Sequence, residues 1–209
     1  MKITAIKAQV KSDDRVSVFV DDKYSFSLTL DQLLDQKLKK GYELDHTEIQ
    51  NLKKLSDEGK LKQRTLEWVL GRPHSTKEFR DYLYQKKADK DLIDAWVDDF
   101  TEKKYLDDEA FARWFAEKRR RKNKSDRAIK SELYAKGIDS VTIQNVVTEL
   151  ENEDDDSDNS EKLALRTLVN KLSDRPRYQD EQKLKTYLIS KGFSYADIKE
   201  VLENNNNSS

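Results

Sequence analysis

One pattern occurs three times between residues 75 and 188 of this sequence. A residue typical of a helix N-cap is followed by apolar residues four and eight positions later, beginning at Ser75, Ser125 and Asp180. The copies are separated by about 50 and then about 55 residues, which is a spacing found in tandem helical repeats. Serine and aspartate accept backbone N–H bonds at helix starts, and apolar residues four apart share a helical face. The pattern therefore indicates small repeated helical units rather than one large core.

Each copy of the pattern continues into a second predicted helix. Asp89, Asp139 and Ser194 are predicted to cap these helices, whose apolar residues follow the i, i+3, i+4 spacing. Lys136-Gly137 and Lys191-Gly192 separate the two helices in the later copies, where glycine favours a left-handed C-terminal cap. A further apolar helix precedes each pair. The sequence thus predicts three tandem three-helix repeats.

The N-terminal part of the chain follows other periodicities. Alternating apolar and polar residues predict a small β-hairpin or meander, with turns at Ser12–Asp14 and Asp21–Lys23. Helical spacing follows, and Gly41 is predicted to end the first of the linking helices. Asp45 and Glu48 have the spacing of a capping box, which predicts that a second helix begins there. Ser75 and Glu78 have the same spacing, which predicts a capping box at the start of the first copy of the repeated pattern.

The predicted fold is mainly α, with the three repeats in an elongated arrangement after the β segment and the linking helices. The polar C-terminal residues are predicted to be disordered. The predicted boundaries are 1–28 for the β segment, 29–62 for the linking helices, 63–105, 106–150 and 160–203 for the repeats, 151–159 for an acidic linker and 204–209 for the tail.

Composition excludes several classes of protein. Cysteine is absent, so disulfides, zinc ribbons and thiol nucleophiles are impossible. His46 and His74 are too few for a histidine-rich metal site and are predicted to lie on the surface. No catalytic motif, signal peptide or membrane-length apolar run is present. We therefore expect a cytoplasmic, monomeric, non-enzymatic protein with no cofactor, no metal and no membrane contact.

The net charge of −1 conceals a strongly basic segment. Residues 111–138 carry about +7, concentrated at a helix end and in the following loop. One interpretation is a solvated helix end whose cations favour the helix dipole. The favoured interpretation is contact with phosphates or an acidic protein surface. The candidate binding residues are Lys118, Arg119, Arg120, Arg121, Lys122, Lys124, Arg127 and Lys130.

An acidic segment follows the basic one. Residues 149–161 carry about −8 and include Ser157, Asn159 and Ser160, a composition that favours a flexible linker. Contact with a basic partner and weak cation binding are the alternatives. A metal-dependent enzyme built on Asp154–Asp158 is disfavoured, because no glycine is present to hold these ligands in a turn.

Four aromatic residues occur at helical spacing among apolar neighbours. They are Trp68, Trp96, Trp114 and Phe115. Core packing is the favoured interpretation, because a platform for stacking nucleic-acid bases would need exposed rings.

The motif from Tyr105 to Ala112, followed by Arg119 and then by Glu132-Leu133 and Lys136–Ile138, resembles the signature of the RecX family. Members of this family regulate the bacterial RecA recombinase. The tandem three-helix repeats of the family agree with the repeats described above, and the resemblance extends from about residue 60 to the end. The first repeat departs from the family pattern, with Lys87 where glycine is usual. The mainly structural motif residues are Asp107, Asp108, Phe111, Ala112, Glu132, Leu133, Lys136 and Gly137.

The resemblance implies a non-enzymatic regulator that binds the RecA nucleoprotein filament. Such a protein would inhibit the recombinase, ATPase and coprotease activities of RecA, in DNA repair and the SOS response. The basic residues listed above would face the filament or its DNA. An alternative of another class is an autonomous DNA-binding protein that uses the same residues, since three-helix units can resemble helix-turn-helix modules. Weak contact with single- or double-stranded DNA is compatible with both hypotheses.

Overall fold

A computed structural model describes residues 1–10, 12–153 and 160–206 of the chain. It divides into two compact units, Met1–Gly71 and Arg72–Ser209. The first unit begins with an antiparallel sheet of order β1-β2-β3, formed by Ile3–Gln9, Ser12–Val20 and Lys23–Thr29. The predicted β-meander is confirmed. The turn predicted at Ser12–Asp14 is wrong, because Ser12 pairs with Gln9 and these residues continue as β2.

Two helices complete the first unit. The first, α1, spans only Leu30–Asp35, and α2 spans His46–Leu70. The predicted stop at Gly41 is wrong, since α1 ends at Asp35 and Lys37, two residues later, adopts a positive φ of 51°. The Asp45–Glu48 capping box is confirmed. The unit's core lies between the sheet and α2 and contains Ile3, Val18, Val20, Phe26, Leu28, Leu44, Ile49 and Leu52.

The second unit is helical. Its helices are α3 (Thr76–Gln85), α4 (Lys90–Glu102), α5 (Asp108–Arg120), α6 (Asp126–Ala135), α7 (Ser140–Glu153), α8 (Ser160–Ser173), α9 (Glu181–Ser190) and α10 (Tyr195–Asn206), with a short 3-10 turn at Pro176–Tyr178. Helices α5–α7 and α8–α10 form two three-helix repeats, each with its own apolar core. Helices α3 and α4 are the last two helices of the first repeat. The first helix predicted for that repeat is the C-terminal part of α2.

Local capping explains where the repeated helices begin and end. Ser75, Ser125 and Asp180 accept backbone N–H bonds at the starts of α3, α6 and α9, as predicted. Gly137 and Gly192 have φ values of +82° and +99°, which confirms the left-handed caps. The helix α10 continues to Asn206, so the first residues assigned to the disordered tail are helical.

Two junctions of the same kind connect the repeats of the second unit. In the first junction, Lys136-Gly137 at the end of α6 contacts Ser75–Lys77 at the start of α3, and Ser75 Oγ donates to the Lys136 carbonyl at 2.8 Å. In the second, Lys191-Gly192 at the end of α9 contacts Ser125–Ala128 at the start of α6. There the Ser125 backbone N–H donates to the Lys191 carbonyl at 3.0 Å. The end of α6 therefore packs on the start of α3, and the end of α9 packs in the same way on the start of α6.

A carboxylate from the first helix of the later repeat completes each junction. Asp108 accepts the backbone N–H of Thr76 at 2.7 Å, while its neighbour Asp107 caps α5 itself. Glu161 lies in the corresponding position, where the Asp126 backbone and the Ser125 hydroxyl hydrogen-bond to it. Negative charge is favoured at helix starts, because the first backbone N–H groups have no partner within the helix.

Candidate partner-binding surface

The basic segment covers the last turn of α5, the following loop and the first turns of α6. Lys118, Arg119 and Arg120 lie in the last turn of α5, where cations favour the helix dipole. Asn123 adopts a positive φ of 55° in the loop, and Ser125 then caps α6. The structure separates the eight candidate cations into an internally bonded group and an outward group.

Arg120 belongs to the internal group. Its guanidinium donates to Asp126 Oδ1 at 3.1 Å and to the Leu150 carbonyl at 2.6 Å. Asp126 itself is buried. Arg120 therefore holds together the end of α5, the start of α6 and the last part of α7. The side chains of Arg120 and Asp126 are 20% and 11% exposed. A largely buried ion pair of this type is costly to break, because removal of one partner leaves the other charge uncompensated.

Arg119 and Lys124 share one carboxylate. Arg119 Nε lies 2.6 Å from Glu132 Oε2, and its guanidinium covers the Phe115 ring at 4.6 Å. Lys124 Nζ lies 3.5 Å from Glu132 Oε1 and also donates to the Ser190 carbonyl at 3.2 Å. These two cations connect the loop with α6 and with the end of α9. Lys130 donates to Gln144 Oε1 at 3.3 Å.

Four cations point outward, and we call them the basic face: Lys118, Arg121, Lys122 and Arg127. The side chain of Arg121 is 81% exposed, and its carboxylate neighbour is Glu117 at 3.4 Å. Lys118 covers the Trp114 ring at 4.7 Å. Lys122 and Arg127 are exposed and have no ion-pair partner among the residues that the structure describes. This group of cations is open to a ligand.

The family-motif residues occupy structural positions. Phe111, Ala112 and Leu133 are fully buried in the core of the second repeat. Glu132 holds Arg119 and Lys124, as described above. Asp108, Lys136 and Gly137 belong to the first junction. A Cβ at Gly137 would lie only 2.8 Å from Lys77 Cβ, so the motif glycine also permits close packing.

A charged cluster at the start of α3 contradicts two predictions from the sequence. His74 was expected on the surface, but it is only 2% exposed, and its Nδ1 lies 3.1 Å from Glu78 Oε2. Glu78 was expected to complete a capping box with Ser75. Ser75 does accept the Glu78 backbone N–H, but the Glu78 carboxylate pairs instead with Arg72 at 3.0 Å and Lys136 at 2.7 Å.

These ion pairs determine the titration of Glu78. Burial acts to raise the pKa of this carboxyl, but hydrogen bonds and charge from Lys136 and Arg72 outweigh it, so the pKa lies below its ordinary value. Lys136 is 58 residues away in the chain, and a local sequence pattern gives no signal for this contact.

The opposite shift occurs at the second junction. Burial raises the pKa of Glu161, and the charges of Asp126 and Asp197 raise it further. The hydrogen bonds from Asp126 and Ser125 act against this but do not cancel it.

Only the ends of the acidic segment can be placed. Glu149 forms an ion pair with Arg113, and Glu161 lies in α8 at the second junction. Residues 154–159, with most of the predicted linker and the Asp154–Asp158 cluster, lie outside the described residues.

The aromatic residues confirm core packing in part. Trp96 and Phe115 are buried, whereas Trp68 and Trp114 are half-buried. In the described part of the chain, no group of three or more acidic or histidine side chains is arranged to hold a metal ion. Within the same ranges, no helix combines the length and apolarity needed to cross a bilayer.

Comparisons with known proteins give consistent matches. Models of three domains match this chain: the regulatory protein RecX N-terminal domain over residues 1–45, the second RecX three-helix domain over 107–147 and the third over 161–202. A regulatory protein RecX of Bacillus pumilus is 33% identical over 203 residues, covering 96% of this chain and 76% of the relative. One from Bacillus subtilis is 33% identical over 205 residues, with the same coverage.

Solved structures have the same fold. A crystal structure of a regulatory protein RecX covers 97% of this chain and 98% of its own, with a TM-score of 0.67 and 23% identity. A RecX structure from Lactobacillus salivarius covers 71% of this chain and 96% of its own, with a TM-score of 0.52 and 23% identity. The sheet and the tandem three-helix units thus have a common architecture with these proteins.

Proposed function

Because this chain belongs to the RecX family of regulatory proteins, we propose that it binds the RecA nucleoprotein filament and inhibits RecA. The inhibited activities are strand exchange, ATP hydrolysis and repressor cleavage, in DNA repair and the SOS response. The observation that supports this most strongly is the match, over 96% of the chain, to a relative named regulatory protein RecX. A match of this extent includes the sheet as well as the repeats, and not one helical module alone.

In this proposal the protein acts by binding in the cytoplasm, as a monomer and without a cofactor. The basic face supplies the contact with the acidic surface of the filament or with its DNA. The cations of this face are exposed to solvent, so they can pair with anionic groups of a partner. Arg119, Arg120 and Lys124 instead maintain the geometry of the loop, because their partners lie within the protein.

The test measures RecA ATPase on single-stranded DNA at increasing concentrations of this protein, over a series of salt concentrations. The wild type is expected to inhibit. The triple variant Arg121→Glu, Lys122→Glu, Arg127→Glu is expected to need at least about tenfold more protein for the same inhibition, since three favourable charge contacts become repulsive. Absence of inhibition by the wild type at every ratio would contradict the proposal.

A matched control reverses three exposed lysines of the first unit: Lys39→Glu, Lys40→Glu and Lys53→Glu. It changes the net charge by the same amount and is expected to inhibit like the wild type. An equal loss in the control and in the basic-face variant would show that net charge matters, and that the basic face does not.

The second candidate is an autonomous DNA-binding protein. Arg127 supports it, because this residue lies exposed on the first turn of α6, the second helix of a three-helix unit. It predicts binding to naked DNA with a logarithmic salt slope of roughly −0.9 for each phosphate contacted on a duplex. If that affinity alone accounts for the concentration dependence of ATPase inhibition, this candidate is correct and direct RecA binding is not required.

A further inference from the structure

Three exposed apolar side chains occupy equivalent positions in the three repeats. Tyr84, Tyr134 and Ile189 are 50%, 72% and 50% exposed. Each immediately follows a core leucine of the same helix, one of Leu83, Leu133 and Leu188. We call Tyr84, Tyr134 and Ile189 the apolar row.

The backbone confirms that the three positions are equivalent. The carbonyls of Tyr84, Tyr134 and Ile189 each accept the N–H of the residue three positions later, at 2.9, 3.0 and 2.9 Å. That later residue has a positive φ in all three repeats. Each member of the row therefore lies on the last turn of its helix, three residues before the same left-handed cap.

The junctions determine the spacing of the row. Tyr134 lies at the end of α6, which packs on the start of α3, and Tyr84 lies at the end of α3. Ile189 is related to α6 in the same way through the second junction. Each of these helices has ten residues. Neighbouring members are therefore separated by about one helix length, ~15 Å.

The fold of the protein does not account for the row. Among the described residues, these three side chains make no hydrogen bond or ring contact. A single exposed apolar residue is ordinary on a protein surface. Recurrence at one position in every repeat is different, because it places an apolar contact at regular intervals along the molecule.

Regular spacing favours a partner that is itself regular. We propose that the apolar row docks into equivalent apolar pockets on successive identical subunits of a protein polymer. This inference rests on the proposed function and names a second surface, besides the basic face, with which the chain would contact the RecA filament. Lys86, which is exposed, follows Tyr84 by two residues, so an acidic residue is expected beside the pocket that takes Tyr84. Lys136 and Lys191 occupy the same position in the other repeats but already bond to Glu78 and to the Lys122 carbonyl.

The third member of the row discriminates between protein and nucleic acid. Tyrosine could stack on a base, but the aliphatic side chain of Ile189 has no ring with which to do so. Both side-chain types fill an apolar protein pocket and bury comparable surface there. A protein polymer is therefore favoured over single-stranded nucleic acid.

The experiment measures binding of the labelled full-length protein to RecA filaments assembled on single-stranded DNA. The single variants are Tyr84→Ala, Tyr134→Ala and Ile189→Ala, and a triple variant combines them. Each single change is expected to weaken binding about fivefold, and the triple about 100-fold, because each removes one buried apolar contact. All three positions are exposed in helices, so stability measured by circular dichroism is expected to remain near that of the wild type.

A control triple replaces Val141, Leu163 and Tyr195 with alanine. These residues are 66%, 47% and 60% exposed but are not equivalent in the repeats. The control is expected to change binding less than twofold. Equal weakening in the control would overturn the assignment of the row.

The remaining outcomes separate the two proposals. If the wild type does not bind filaments, the proposed function fails. If the wild type binds and the row triple binds equally well, only the apolar row is refuted. If only one of the three single variants binds filaments more weakly, the partner offers a single pocket, and the proposal of equivalent pockets on successive subunits is wrong. If the triple loses the same factor of affinity for naked single-stranded DNA, the partner is nucleic acid and the inference is wrong.

Discussion

Replacement of Gly192 with alanine is expected to open the second junction. Gly192 has a φ of +99°, and an added Cβ would lie 2.5 Å from both Ala128 Cβ and Ser125 Oγ. Ala128 lies in the capped first turn of α6, and its Cβ cannot move unless the backbone of that turn moves. Alanine at this position therefore meets both an unfavourable backbone conformation and a steric conflict.

The two effects give the expected magnitude. Placing a residue with a Cβ at this positive φ costs roughly 1–2 kcal/mol. Forcing extra volume into a close contact costs roughly 1–3 kcal/mol. Together they give an expected destabilisation of the attachment of the third repeat by about 2–5 kcal/mol for Gly192→Ala. Gly137→Ala is expected to cost somewhat less, because its conflict is with Lys77 at 2.8 Å.

Lys87 provides the matched control. It occupies the corresponding cap of the first repeat with a φ of +61°, although it has a side chain. Lys87→Gly is therefore expected to leave stability unchanged or to raise it by up to about 1 kcal/mol.

The assay combines urea unfolding, followed by circular dichroism, with hydrogen exchange of the backbone amides. Gly192→Ala is expected to lower the unfolding midpoint and to reduce protection in α9 and in the first turn of α6. A change below about 0.5 kcal/mol with unchanged protection would refute the close-packing argument, since surface substitutions commonly produce no more than this.

Three further predictions concern the charged groups. Glu78→Gln is expected to cost about 1–2 kcal/mol of stability at neutral pH, because the ion pair with Lys136 is lost. The pKa of Glu78 is lowered in the folded protein, so this cost should disappear as the pH falls through the ordinary glutamate pKa and then through the lowered one. A cost that does not depend on pH would contradict the ion pair. Glu161 has a raised pKa in the folded protein. The wild type should therefore lose stability relative to Glu161→Gln as the pH rises from below the ordinary glutamate pKa through the raised pKa. Urea midpoints of both proteins at several pH values measure this, and a wild type that gains stability relative to the variant over this range would refute it. Arg120→Ala is expected to cost about 3 kcal/mol in urea unfolding and Arg121→Ala less than about 0.5 kcal/mol, whereas equal costs would invalidate the division into internal and outward cations.

The sequence alone predicted the tandem helical units and the caps at Ser75, Ser125, Asp180, Gly137 and Gly192 correctly. Ser125, Gly137 and the Asp45–Glu48 pair act on backbone groups a few residues away, so their effect depends little on the rest of the fold. Apolar periodicity likewise depends on helix geometry alone. The stop predicted at Gly41 failed because a six-residue helix ended earlier, at Asp35.

The position of the candidate surface could also be predicted, but the division of its cations could not. A run of basic residues does not reveal that Arg120 bonds to Leu150, 30 residues away, or that Lys124 bonds to Ser190, 66 residues away. The burial of His74 and the pairing of Glu78 with Lys136 depend on the same kind of distant approach.

The distinction has a physical cause. Capping and periodicity arise from groups within one or two helical turns, and the chain order determines these directly. Ion pairs and close glycine contacts arise where helices that are distant in the chain meet, within a repeat or between two repeats, and only the tertiary structure determines which groups meet there. The sequence determined that the chain forms capped helices in repeats and contains a basic segment. The tertiary contacts decided which cations remain outward for a partner, and the junctions decided how far apart the exposed apolar residues lie.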